Sequence, residues 1–150
     1  MNNEQMAVKW ALRELVDAYA LAVDTRDASY FGRLFTATGS LEIHEPGVEQ
    51  AVLTYTGTAE IESVIELVMR FSSTFHVMTN HITVLGESGY ATGTTYCLAH
   101  HLSKDETRDT LMLIRYEDDY VLDNEAWRFE RRRVMRQWND TLAADRTPLK

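Results

Sequence analysis

The chain has 150 residues, 45% of them hydrophobic, and 23 acidic side chains against 15 Lys and Arg, a formal charge of −8. That is apolar material for one core and one domain over 1–150, with a body over about 5–140 and a polar tail over 141–150. The acidic surface repels phosphate backbones and anionic lipids, so nucleic acid and membrane are excluded as partners. The lone cysteine, Cys97, excludes an internal disulfide and a cysteine-rich metal centre. With no leader-like start and no long apolar run, a cytoplasmic protein is expected.

Leu12, Leu15, Val16, Tyr19 and Val23 recur at helical spacing and predict a helix over about Glu4–Val23, capped by Asn2 or Asn3. A short second helix is expected over Ala28–Phe35, capped by Asp27, with Phe31, Leu34 and Phe35 inward. "GSLEIHE" alternates as a half-buried strand does, and "AVLTYTG" is a second short strand. "TAEIESVIELVMRF" predicts a third helix, capped by Thr58 and burying Ile61, Val64, Ile65 and Val68. From Thr74 the pattern is β. "TFHVMTNHITVLG" and "YATGTTYCLAHHLS" flank the turn "GESG", and "DTLMLIRYEDDYVL" and "AWRFERRRVMRQW" flank "DNE". This order predicts an α+β fold. Three N-terminal helices pack on the concave side of a strongly curved, mostly antiparallel sheet, whose last four strands form a meander. Such a sheet encloses a cone with a pocket at its open end.

Alternation groups His76, Met78, Asn80 and Ile82 on one strand face, with Val77, Thr79 and His81 on the other. The apolar Ile82 and Val84 turn the first face inward and leave His81 a structural or interface role. On the next strand Ala91, Gly93, Thr95, Cys97, Ala99 and His101 share a face, and their small side chains leave room for a ligand. "RFERRR" suits pairing with "YEDDY" across a hairpin. Alternation there separates Arg128, Glu130, Arg132 and Val134 from Trp127, Phe129, Arg131 and Arg133. Asp24 is the anomaly, because a helix C-terminus carries partial negative charge and disfavours an acid. Either it closes the Asp24–Asp27 turn, or it stands at the cone mouth with its pKa raised by the helix terminus and by desolvation.

The order of elements resembles the SnoaL-like branch of the nuclear-transport-factor-2-like superfamily. "ELVDAYALAVDTRD", "YTGTAEI", "FHVMTNHITV", "YATGTTYCLAHH" and "AWRFERRR" carry the resemblance, which spans about Gln5 to Asp140. The nearest-looking members are the γ-hexachlorocyclohexane dehydrochlorinases and scytalone dehydratases, which use a pocket aspartate and histidine without cofactor or metal. The resemblance implies Asp24 and His76 as the catalytic pair, with Asp24 orienting the imidazole. It implies a second histidine at His101, or His100 if the strand is bulged. It implies a pocket arginine at Arg132, with Arg131 and Arg133 as alternatives. Tyr19 stands where the dehydrochlorinase has a lysine, which argues against halide elimination and for an oxygen-bearing substrate. Val23, with Ile43 or Glu45, stands where the dehydratase has tyrosines. Tyr19, Val23, Met78, Asn80 and Cys97 are the expected substrate-binding residues. The expected activity is a cofactor-independent, dehydratase-like lyase or isomerase acting on a small apolar oxygenated molecule. The alternative is a non-catalytic small-molecule-binding or subunit-association domain. Relatives assemble through the outer sheet face, so a homodimer or homotrimer is expected, with Trp127 and Phe129 on that face.

Overall fold

The computed structural model describes residues 1–148. In chain order the elements are α1 (Asn3–Thr25), α2 (Ala28–Arg33), β1 (Phe35–His44), β2 (Leu53–Thr56), α3 (Thr58–Ser63) and α4 (Ile65–Val68). The strands β3 (Ser73–Leu85), β4 (Tyr90–Leu102), β5 (Arg108–Asp123) and β6 (Ala126–Ala143) follow. One sheet runs in the order β2-β1-β6-β5-β4-β3. β3 to β6 form the antiparallel meander, and β1 lies parallel to β6. No helix among the described residues is long and apolar enough to cross a membrane.

α1 begins with a capping box between Asn2 and Gln5 and buries Leu12, Leu15, Val16, Tyr19 and Val23. It ends at Arg26, which takes the left-handed conformation at φ 59° and returns its N–H to the last turn. The Arg26 guanidinium then donates to the carbonyls of Phe71 and Ser72, fixing the helix end beside the start of β3. Asp27 caps α2 through the Tyr30 N–H. The expected third helix is instead broken at Val64 into α3 and α4. Its N-cap is Gly57, with no side-chain cap from Thr58. Three-residue hydrogen bonds from Val64 to Ile61 and from Leu67 to Val64 tighten this stretch, where branched side chains crowd a regular helix. β1 starts at Phe35, four residues before "GSLEIHE", so Phe35 enters the core from a strand.

Bulges in β3 and β6 decide which side chains face the helices. In β3, Met78 opposes Cys97 but His81 opposes Thr95, so one extra residue is inserted between them. Beyond it the facing reverses. Asn80 is exposed, Ile82 and Val84 are more than 60% exposed, and His81 turns in against Tyr120. The inward reading of Asn80, Ile82 and Val84 is thereby corrected. In β6 the extra residue at Glu130 sets both Phe129 and Arg132 inward, against Tyr120 and Asp118. Phe129 is fully buried and Trp127 packs against the same core, so neither lies on the outer face as expected. Gln137 forms a third bulge opposite Leu113 and Ile114.

The core under the sheet is aromatic. Phe129 lies 5.1 Å from Phe35, 5.5 Å from Tyr120 and 6.0 Å from Tyr19, between ring centroids. β3 is one edge of the sheet and β2 the other, and α1 covers part of the β3 edge. Arg13 donates to the carbonyls of Met78 and Thr79, and Lys9 to that of Thr83. Because Phe129 is a core residue, Phe129→Ala should lower stability by about 3–5 kcal/mol in urea unfolding, where an outer-face residue would change it by less than about 1.

Candidate active site

The last turn of α1 delivers Asp24 to the first residues of β3. Its Oδ1 accepts from the Thr74 hydroxyl at 2.9 Å and lies 2.7 Å from His76 Nδ1, while Oδ2 accepts from the His76 N–H at 2.8 Å. Burial pushes the Asp24 carboxyl up, but the hydrogen bonds from His76 and Thr74 outweigh it and hold the group below its ordinary value. That corrects the raised acid expected from a helix terminus and desolvation. Donors converge on the carboxylate, and the helix end carries no repulsion strong enough to offset them. With Nδ1 donating to Asp24, the neutral His76 ring keeps its lone pair on Nε2.

His76 lies on the wall of an apolar cavity of about 330 Å³. α1 contributes Tyr19 and Val23, β5 contributes Met112, Ile114 and Tyr116, and α4 with the break before it contributes Val64, Ile65 and Val68. His101 completes the histidine side, its ring 5.6 Å from that of His76 and 4.7 Å from Phe71. His101 Nδ1 lies 3.1 Å from the Ala99 carbonyl, which makes it the donor and leaves Nε2 to accept. Burial, with the neighbouring His76, pushes its pKa down to about 4. His100 points to the other face and meets Asp109 at 2.5 Å.

The remaining expected residues separate. Tyr19 and Val23 line the cavity. Met78 packs in the adjoining core, Cys97 is buried in it, and Asn80 lies outside beyond the β3 bulge. Arg132 is fully buried but does not line the cavity. Its guanidinium is stacked 4.0 Å from the centroid of Tyr19, 3.9 Å from Tyr116 and 4.5 Å from Phe129, with Nε 3.2 Å from Asp118 Oδ1. Arg131 pairs with Asp119 and Arg133 leans towards Glu117, as facing charged strands allow. Ile43 and Glu45, which stand at the dehydratase tyrosine positions, line the cavity, whereas Tyr116, Phe71 and Arg136, the ion-pair partner of Glu45, were not singled out from the sequence. Tyr116 had a signal, since it continues the alternation of Met112 and Ile114. Among the described residues no three His, Cys, Asp or Glu side chains gather as a metal site would need.

The family described as SnoaL-like domain matches residues 4–133. No curated protein matches the chain in sequence. Among solved structures, the chain is similar to hexachlorocyclohexane dehydrochlorinase LinA-type3 from Novosphingobium barchaimii LL02. The two are 16% identical with a TM-score of 0.79, and the match covers 97% of each chain. A provisionally named scytalone dehydratase from Novosphingobium aromaticivorans DSM 12444 is 19% identical with a TM-score of 0.81, covering 97% of this chain and 96% of that one. A protein from Novosphingobium aromaticivorans described as NTF2-like with a cystatin-like fold is 17% identical with a TM-score of 0.74, covering 89% and 84%.

Two inward histidines make the fold acid-sensitive. His101 and His81 are both held down to about 4, largely by burial, whereas an unfolded histidine titrates near 6.5. Between those values the two histidines bind protons in the unfolded chain that they refuse in the folded one, and the single proton that the folded chain gains at Asp118, pushed up to about 6 by burial, offsets only part of this. Stability should therefore fall as pH drops from about 6.5 towards 4. Urea midpoints across that range should show the slope, and His101→Gln should flatten it.

Proposed function

The chain belongs to the SnoaL-like domain family, and we propose that it is a cofactor-independent, dehydratase-like lyase or isomerase for a small, mostly apolar, oxygen-bearing molecule. One observation carries the reading: a carboxylate 2.7 Å from a histidine ring that opens onto an apolar cavity. The cavity is read as the open end of a cone, and the bulges in β3 and β6 support a bent sheet.

In the proposed step His76 Nε2 takes a proton from a carbon next to a carbonyl. The C–H electron pair moves onto the carbonyl oxygen as an enolate. Asp24 stabilises the imidazolium so formed and holds the ring in place. In a dehydration the electron pair returns and expels a hydroxide from the next carbon. That hydroxide takes the proton from His76 and leaves as water. In an isomerisation His76 returns the proton to a different carbon. His101, uncharged at neutral pH, offers Nε2 as an acceptor for a substrate hydroxyl.

The test needs no known substrate. A panel of cyclic ketones and β-hydroxy ketones in deuterium oxide, followed by NMR, reads both exchange at carbon and loss of water. At least one member should react with the protein. The rate should fall about a hundredfold or more in Asp24→Asn and in His76→Gln, the scale of general acid–base catalysis. If no member reacts faster than in buffer, the domain binds without catalysing.

We also propose a homodimer or homotrimer assembled on the outer sheet face. The residues are not Trp127 and Phe129. The register places Val77, Leu98, Leu113 and Trp138 in one row across four strands. Trp138 and the nearby Phe75 are 61% and 67% exposed. A contiguous apolar patch of this kind marks an interaction surface. Light scattering at micromolar concentration should return a multiple of 17.2 kDa, and Leu98→Glu with Trp138→Glu should return the monomer. A wild-type monomer overturns the assembly.

A further inference from the structure

The guanidinium of Arg132 is the least explained group in the molecule. It is fully buried, and among the described residues Nε, Nη1 and Nη2 have no hydrogen-bond partner. Among those residues its charge is matched by Asp118 alone, at 3.2 Å and without an aligned hydrogen bond. Burying a cation this way is costly, and a hydrophobic side chain of similar size would serve the core at least as well. The planar group lies instead against three aromatic faces, two of which, Tyr19 and Tyr116, belong to the cavity wall.

We infer that Arg132 acts through these rings. It polarises Tyr19, seated edge-on against Tyr116, so that the Tyr19 hydroxyl is the donor that stabilises negative charge developing on a substrate carbonyl oxygen. The inference rests on the proton-abstraction reading above and adds the second half of the site. His76 receives the proton, and Tyr19 receives the charge. Tyr19 and His76 line one cavity, from α1 and β3 respectively. Tyr19 and Tyr116 are 5.5 Å apart between centroids and meet at 68°. A cation against the face of a phenol attracts its electrons and strengthens its O–H as a donor. Burial drives the Tyr19 pKa up to about 12 while Arg132 pulls it down, so Tyr19 stays protonated and can donate. Tyr19 is then the group that touches the substrate and Arg132 is a positioning residue. The substrate class narrows to ketones and aldehydes whose carbonyl oxygen becomes an enolate.

The test uses two probes of one shape, 4-nitrophenolate and the neutral 4-nitrotoluene, with binding measured by calorimetry. The wild type should bind both. Tyr19→Phe should weaken 4-nitrophenolate by about tenfold or more, the scale of a lost hydrogen bond to a charged group, and leave 4-nitrotoluene unchanged. The paired change Arg132→Leu with Asp118→Asn strands neither charge and should produce the same selective loss. Arg132→Gln with Asp118→Asn, which keeps a polar side chain but not the charge, replaces it if that variant does not fold. Equal weakening of both probes makes Arg132 a structural residue and overturns the proposal. So does undiminished 4-nitrophenolate binding in Tyr19→Phe or in the arginine variant, or no 4-nitrophenolate binding by the wild type. His76→Gln separates this from the acid–base reading. It should abolish deuterium exchange and keep the Tyr19-dependent preference for the anion.

Discussion

The site depends on one carboxylate. Asp24 accepts from a hydroxyl, a backbone N–H and a ring nitrogen, all contributed by the first residues of β3. Two of these bonds are structural, joining the end of the first helix to an outer strand of the sheet. The third aligns the imidazole. A residue that both ties the fold and orients the ring leaves the ring little freedom to turn, because the ring's own backbone N–H is bound to the same carboxylate. Arg26 strengthens the joint from two residues further on, by bonding the carbonyls just before β3. The acid that looked misplaced at a helix terminus is held by donors from outside the helix, and their attraction exceeds the repulsion of the dipole.

The opposite side of the cavity is organised by charge under aromatic rings. Asp118 and Arg132 face each other across β5 and β6 with no exposure to solvent. Burial pushes the Asp118 pKa up to about 6, against the pull of Arg132 and a hydrogen bond from Tyr120. His81, swung inward by the β3 bulge, reaches the same tyrosine at 3.2 Å. A polar network of this kind fixes the register of three strands, since a slip of one residue would strand a charge in the core.

Much of this was legible in the sequence and some was not, for definite reasons. Helical spacing located α1, and the capping preferences of Asn2 and Asp27 placed two helix starts. Period-two alternation gave the order of the meander. It failed wherever a bulge intervened, because one inserted residue reverses every side chain beyond it. That is why Asn80 and Ile82 were read as inward and Phe129 as outward, while His101, on the unbulged β4, was assigned to the inner face where it lies. The contact between Asp24 and His76 came from the family resemblance and not from periodicity. Tyr116 escaped notice because "YEDDY" was read as a charged face, although its alternate residues carry the core. The cage around Arg132 closes only when Tyr19 of α1 meets the β5–β6 hairpin far along the chain, and no local pattern encodes that meeting.

At the β3 edge the sheet meets a hazard common to outer strands. β3 carries Phe75, Ile82 and Val84 exposed, and an outer strand of that composition is a template on which another extended chain can add. The long basic side chains of α1 occupy the carbonyls of Met78, Thr79 and Thr83 that an added strand would need. The bulge between Met78 and His81 breaks the regular spacing at the same point. Lys9 and Arg13 thus occupy backbone acceptors that an added strand would need, so the same contacts that dock the helix also deny part of this edge to a second chain.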